Sequence, residues 1–301
     1  MASVREIRRR IRSVQNTAKI TNALQLVAAS KMRRAQQRAL AARPYAERMR
    51  VVLSHLAAQA TDIEGRPIHP LLEQRAGDRT LLIHITPNRG LAGGLPGNLN
   101  RRAGAFVLEQ SGPVAIVAVG KKGRDFFQRL RYQIVAEFTQ LGDYPSLLDT
   151  LPISRIAMEE FLEGRTDRVF MVYADFVNTA VQRPTVQQLL PVQPTVTHDI
   201  LGPERARAEV ALRREVEYIY EPSPQAVLEQ ILPRYVEMQV YHAVLENAAS
   251  EQSARMVAMK NATDAAKDMI ETLTLLMNKA RQEQITKELL DIVGGVKALE
   301  G

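Results

Sequence analysis

The sequence predicts an α/β protein: a long antiparallel two-helix coiled coil formed by the N- and C-terminal helices, plus a central Rossmann-like α/β domain. Three observations predict it. Residues 223–299 carry one helical pattern, with no proline after Pro233 and no glycine before Gly294-Gly295. Residues 3–43 carry a second, free of both Gly and Pro. Between them, short β-rich runs alternate with helical stretches, the pattern of a largely parallel sheet. The expected divisions are an N-terminal coiled-coil helix over 1–60, a central domain over 75–220 and a C-terminal coiled-coil helix over 223–301.

In the N-terminal helix, Val4, Ile7, Ile11, Val14, Ala18 and Thr21 recur three and four residues apart, while Ile20, Leu24 and Val27 continue on a neighbouring face. Pro44 predicts a kink, after which Met49, Val52, Leu53 and Leu56 resume the pattern. Residues 65–70 (Gly-Arg-Pro-Ile-His-Pro) read as a linker. Strands are expected at 81–85, 114–119 and 169–173, and helices at 99–110, 123–130 and 153–164. Residues 193–214 read as a charged excursion and 216–221 as a last strand. Ser223 suits an N-cap and Pro224 a first helical position.

The C-terminal helix would extend roughly 110 Å at the α-helical rise, too long for a compact chain of this size to bury. Its partner is written in its spacing. Met259, Ala262, Ala266, Met269, Leu273, Leu276 and Ala280 alternate three and four apart, and Ile285, Leu289, Ile292, Val296 and Leu299 repeat this in a shifted register. That is a coiled-coil seam with a phase slip. The C-terminal arm outruns the N-terminal one, so its apolar end calls for another chain.

Charge agrees with two paired arms. The net charge is +7, yet residues 1–50 hold 13 Lys or Arg against Glu6 and Glu47, while residues 221–301 hold 8 Lys or Arg against 12 Asp or Glu. A basic arm and an acidic arm can pair, or the basic one can meet an anionic partner. Cysteine is absent, which excludes disulfides, thiol catalysis and thiolate metal sites. No apolar run is long enough to span a bilayer, and the basic N-terminus lacks the apolar segment of a secretory signal.

The remaining motifs point away from catalysis. Residues 89–98 (Arg-Gly-Leu-Ala-Gly-Gly-Leu-Pro-Gly-Asn) and 120–124 (Gly-Lys-Lys-Gly-Arg) follow predicted strands, where backbone amides can hold phosphate. Neither dinucleotide nor Walker spacing is present, so both read as structural turns. The five histidines have no ligand spacing, so neither metal nor cofactor is expected. The basic stretch lacks the aromatic interleaving of a nucleic-acid binder.

The C-terminal block 251–264 (Glu-Gln-Ser-Ala-Arg-Met-Val-Ala-Met-Lys-Asn-Ala-Thr-Asp) closely resembles the signature of the gamma subunits of F-type ATP synthases. So do Asn278-Lys279-Ala280-Arg281-Gln282 and Ile285-Thr286-Lys287-Glu288-Leu289, and near the start Val27-Ala28-Ala29-Ser30-Lys31-Met32. Arg89-Gly90-Leu91, Gly120-Lys121-Lys122-Gly123 and Leu189-Leu190-Pro191 add matches, in order along the chain. Pro87-Asn88 departs from the family's usual Ser or Thr followed by Asp, and Gly294-Gly295-Val296 from its small-residue ending. Without cysteine, the thiol regulation of the chloroplast form is impossible here.

The resemblance implies a non-catalytic central-stalk rotor of a proton-translocating ATP synthase, peripheral on the cytoplasmic side of a bacterial plasma membrane. The implied partners are the alpha and beta subunits of the hexamer, the epsilon subunit and the c-ring, with neither nucleic acid nor direct membrane insertion. It also implies rotor–stator contacts at Arg281, Gln282 and Thr286, and at the basic residues Lys31, Arg33 and Arg34. The apolar residues Ile285, Leu289, Ile292, Val296 and Leu299 would form a bearing.

Overall fold

The computed structural model describes residues 3–57, 69–193, 221 and 223–299. They form five α-helices and five strands: α1 (Val4–Ala57), β1 (Thr80–Ile85), α2 (Leu95–Leu108), β2 (Val114–Val119), α3 (Lys121–Arg129), β3 (Ile134–Phe138), α4 (Leu147–Leu162), β4 (Arg168–Phe176), β5 (Gln182–Leu190) and α5 (Pro224–Leu299). The chain divides into two compact units, Met1–Ser30 with Arg255–Gly301, and Lys31–Ala254. Both long helices contribute to both units.

In the larger unit the sheet order is β3-β2-β1-β4-β5. The first four strands are parallel, and β5 pairs antiparallel with β4. Strand side chains alternate between two apolar layers, as the two-residue period requires. Leu81, Ile83 and Ile85 pack with Ile153, Ala157 and Phe161 of α4 and with Leu228, Leu232, Val236 and Val240 of α5. Leu82, Ile116 and Ala118 pack on the opposite face with Leu99, Ala103 and Phe106 of α2 and Phe127 of α3. Both faces are covered, which explains the continuous apolar runs of β1 and β2.

Two strands escape the sequence pattern for physical reasons. β3 is a five-residue edge strand and is only half-buried, so it lacks an apolar run. β5 (Gln-Arg-Pro-Thr-Val-Gln-Gln-Leu-Leu) is half polar and contains Pro184. Proline is tolerated there because β5 sits at the sheet edge. Helix α4 begins six residues before its expected start, because the Asp149 carboxylate accepts from the Ser146 backbone N–H at 2.8 Å, an N-terminal cap that carries Pro152 inside the helix. Pro44 lies within a continuously assigned α1. The Ser223 cap is present, its hydroxyl accepting from Ala226 N at 3.2 Å. Most of the linker at 65–70, the excursion at 193–214 and the strand at 216–221 lie outside the described residues.

One buried ionisable group stands inside the sheet–helix layer. His84 of β1 is fully buried, its Nε2 lies 2.9 Å from Asn100 Oδ1, and its ring meets Phe127 edge-on. Burial pushes its pKa down to about 4, against a smaller opposing effect of the Asn100 contact. The folded chain therefore keeps His84 neutral at pH values where the unfolded chain binds a proton. Its contribution to stability is full above pH 6.5 and declines as pH falls from there toward about 4. Denaturant titrations at pH 7 and pH 5 are expected to show a loss of stability that is smaller in His84→Gln than in the unmodified chain. In the same assay Phe161→Ala is expected to cost about 3–5 kcal/mol, the usual result of emptying a fully buried aromatic position.

Candidate functional site

The smaller unit is a helix pair. Residues 4, 7, 11, 14, 18, 21, 24, 25, 28 and 29 of α1 are its half-buried or buried positions, those up to 21 matching the expected spacing, while Ile20 and Val27 are exposed. Of the neighbouring-face set Leu24 is half-buried, and the expectation for Ile20 and Val27 is corrected: a two-helix seam buries a limited stripe. On α5 from Met259 to Ala280 the half-buried or buried positions are 259, 262, 263, 266, 270, 273, 274, 277 and 280. Of the expected seam, Ala262 is half-buried beside the buried Thr263, while Met269 and Leu276 were named in place of Ile270 and Met277. Met269 and Leu276 are more than half exposed. Both sets alternate three and four, so spacing alone cannot choose between the two phases; the partner helix does. Thr21 and Thr263 fix the pairing with a hydroxyl–hydroxyl hydrogen bond of 2.6 Å. A shallow groove beside it is lined by Lys19, Asn22, Gln25, Lys260, Asp264 and Lys267.

Beyond Ala280 the character of α5 changes. Ile285, Leu289 and Ile292 are 44%, 58% and 64% exposed, joined by Leu290 and Val293. Val296 and Leu299 lie within α5, but their side chains fall outside the described residues. Arg281, Gln282 and Thr286 are all exposed on the same stretch. A run of five exposed apolar side chains within nine residues is the surface feature that most demands a partner.

The basic residues of α1 have a different setting. Lys31 Nζ sits 2.6 Å from Asp143. The Arg34 and Arg38 guanidinium carbons lie 5.8 and 5.0 Å from the Tyr144 ring centre, within cation–π range. Arg33 is exposed. Asp143 and Tyr144 belong to the β3–α4 loop, and nothing in the sequence marks them, because the contact spans 112 positions.

The glycine-rich turn at 120–124 has a packing role. Gly120 has a φ of 98°, and a Cβ there would fall 2.0 Å from the Thr86 carbonyl oxygen. The Thr86 hydroxyl accepts from Gly123 N at 2.8 Å, and Asn88 Oδ1 accepts from Lys121 N at 3.1 Å. These side chains cap the amides at the start of α3 that a phosphate would need. Among the described residues, no group of three or more His, Asp or Glu could hold a metal ion.

A family model described as "ATP synthase" matches residues 3–299. The chain is 54% identical over 299 residues to the ATP synthase gamma chain of Dehalococcoides mccartyi (strain CBDB1), covering 99% of this chain and 100% of the other. It is 51% identical over 303 residues to the ATP synthase gamma chain of Roseiflexus castenholzii, covering 99% of each. Among solved structures it resembles a chain of the Euglena gracilis mitochondrial ATP synthase (OSCP/F1/c-ring, rotational state 3), with a TM-score of 0.64 at 20% identity over 98% of this chain and 94% of that one. A chain of the Tetrahymena thermophila mitochondrial ATP synthase central stalk and c-ring gives a TM-score of 0.58 at 24% identity, over 81% and 99%. At such identities the structural likeness speaks for the fold.

The seam phase has a direct check. Ile270→Ala is expected to destabilise the helix pair by about 1–2 kcal/mol, and Met269→Ala to stay within about 0.5 kcal/mol. Amide exchange across residues 255–280 of the full chain reads the difference.

Proposed function

This chain belongs to the ATP synthase gamma-chain family, and on that premise we propose how its surfaces serve a central-stalk rotor subunit that carries torque between the membrane c-ring and the alpha/beta hexamer. The observation that carries the reading is the apolar run of α5 beyond Ala280, exposed among the described residues. Seated in a collar formed by alpha and beta chains, it acts as a bearing. Apolar contacts are short-ranged and non-directional, so few bonds must break when the helix turns within the collar. Ile285, Leu289, Ile292, Val296 and Leu299 supply that surface.

Arg281, Gln282 and Thr286, on the same exposed stretch, supply directional rotor–stator contacts to the hexamer. Lys31, Arg33 and Arg34 supply charge facing acidic loops of the beta chains, with Arg33 the most available and Lys31 already sharing its charge with Asp143. A lone rotor within a threefold ring meets each catalytic site differently, and such differential contacts bias each site's conformational equilibrium. The chain itself is non-catalytic: nucleotide chemistry belongs to the hexamer, and protons cross at the ring. The central domain joins epsilon and the c-ring. No described helix is long and apolar enough to cross a membrane. The chain is held peripherally through its partners, on the cytoplasmic side of a bacterial plasma membrane, as its bacterial relatives support.

Mixing the chain with purified alpha and beta subunits is expected to yield a stable ATPase assembly; no association would contradict the reading. In reconstituted vesicles Arg281→Ala is expected to lower ATP synthesis while leaving the melting temperature of the isolated chain within the range of a surface substitution. Unchanged synthesis would remove Arg281 from the set of torque contacts.

A further inference from the structure

Strand β4 outruns the strand beside it. Its pairing with β1 ends at His84 opposite Val172, yet β4 continues to Phe176 with β5 on its other side. The backbone groups of 173–176 that face away from β5 therefore need other partners, since buried N–H and C=O groups are almost always paired.

One face of α5 supplies those partners. Asn247 Oδ1 accepts from Ala174 N at 3.3 Å, and the Ser250 hydroxyl donates to the Ala174 carbonyl at 3.0 Å. The Glu246 carboxylate accepts from Phe176 N at 3.2 Å, with His242 Nε2 at 3.5 Å from its other oxygen. One turn on, the Ser253 hydroxyl donates to Thr179 O at 2.8 Å in the β4–β5 turn. At the other end, the Tyr173 hydroxyl donates to Gln187, whose amide donates to Gln239 of α5, at 2.9 and 3.2 Å. Glu246, Asn247, Ser250 and Ser253 are all nearly or fully buried. The positions 239, 246, 250 and 253 fall at heptad-like spacing on one face of the helix.

We infer that this polar strip is a register lock: Glu246, Asn247, Ser250 and Ser253 are positioning residues that stand in for a missing strand and fix α5 against sliding and turning on the sheet. Its role in carrying torque rests on the rotor reading above. The apolar contacts of α5 in this unit (Leu228, Leu232, Val236, Val240, Val244) hold the helix down but do not specify an angle sharply. Hydrogen bonds weaken steeply when bent or stretched. A shift of one residue moves the helix about 1.5 Å along its axis and about 100° around it, and it breaks the ties together, leaving buried groups unpaired. Twist applied to the sheet is thus passed into the helix backbone, which runs on unbroken to Leu299.

Two measurements test this. In the full-length chain, the Ala174 and Phe176 amides are expected to exchange as slowly as those of central β1, and Asn247→Ala, which removes the acceptor of Ala174 N–H, to speed exchange at Ala174 roughly fivefold, the worth of one net hydrogen bond. Rapid exchange at both amides in the unmodified chain would overturn the lock. In the reconstituted complex, Glu246→Leu and the double variant Asn247→Ala/Ser250→Ala are expected to lose ion pumping per ATP hydrolysed, whereas Glu246→Gln, which can still accept from Phe176 N, keeps it. A merely structural role would lower the amount of complex and leave that ratio unchanged, and an unchanged ratio would overturn the inference. If the unmodified chain itself supports no pumping, the rotor reading fails, and the exchange result alone judges the lock.

Discussion

The seam between α1 and α5 is the constraint on which the smaller unit depends. Its residues have no sheet to bury against, so their apolar side chains find cover only in each other. Ile7, Ile11 and Ala28 on one helix, and Met259, Thr263 and Ala266 on the other, are buried points of that contact. The Thr21–Thr263 hydrogen bond sets its register. A two-helix seam buries one stripe per helix and leaves the other faces in water. That is why this unit presents so many exposed apolar and charged side chains, and why its surface, rather than any cavity, carries the functional reading.

The larger unit solves a different problem. It fixes α5 to a sheet with two kinds of interaction that do separate work. The apolar layer from Leu228 to Val244 supplies cohesion, and the buried polar strip supplies angle and register. Cohesion without register lets a helix creep, and register without cohesion costs too much desolvation to persist. On the α1 side, the Lys31–Asp143 pair and the Arg34 and Arg38 contacts with Tyr144 are more exposed. Surface ion pairs of this kind contribute little to stability, so on α1 the cohesion comes from Leu53 and Met49 in the same apolar layer.

Much of this was legible in the sequence, and the limits have identifiable causes. The α1 stripe was readable because apolar residues sit at every inward position from Val4 to Ala18. The α5 stripe was half readable: apolar residues fill both possible phases, and only the partner helix selects Ile270 and Met277 over Met269 and Leu276. β1, β2 and β4 announce themselves through burial on both faces. β3 and β5 do not, because edge strands need not be apolar and β5 carries a proline. The polar ties of Glu246, Asn247 and Ser250 had no signature at all. Inside a helical pattern such residues read as exposed, and their partners are backbone groups some seventy positions away.

As a central-stalk rotor, this chain turns relative to the alpha/beta hexamer that surrounds the apolar end of α5. The chain has no cysteine, so Leu108→Cys, at a position 82% exposed, gives a single attachment point for an optical probe. With the hexamer fixed to a surface, ATP is expected to drive that probe round in one direction, pausing at the ring's threefold positions. A probe that stays still while the hexamer hydrolyses ATP at full rate would contradict the account.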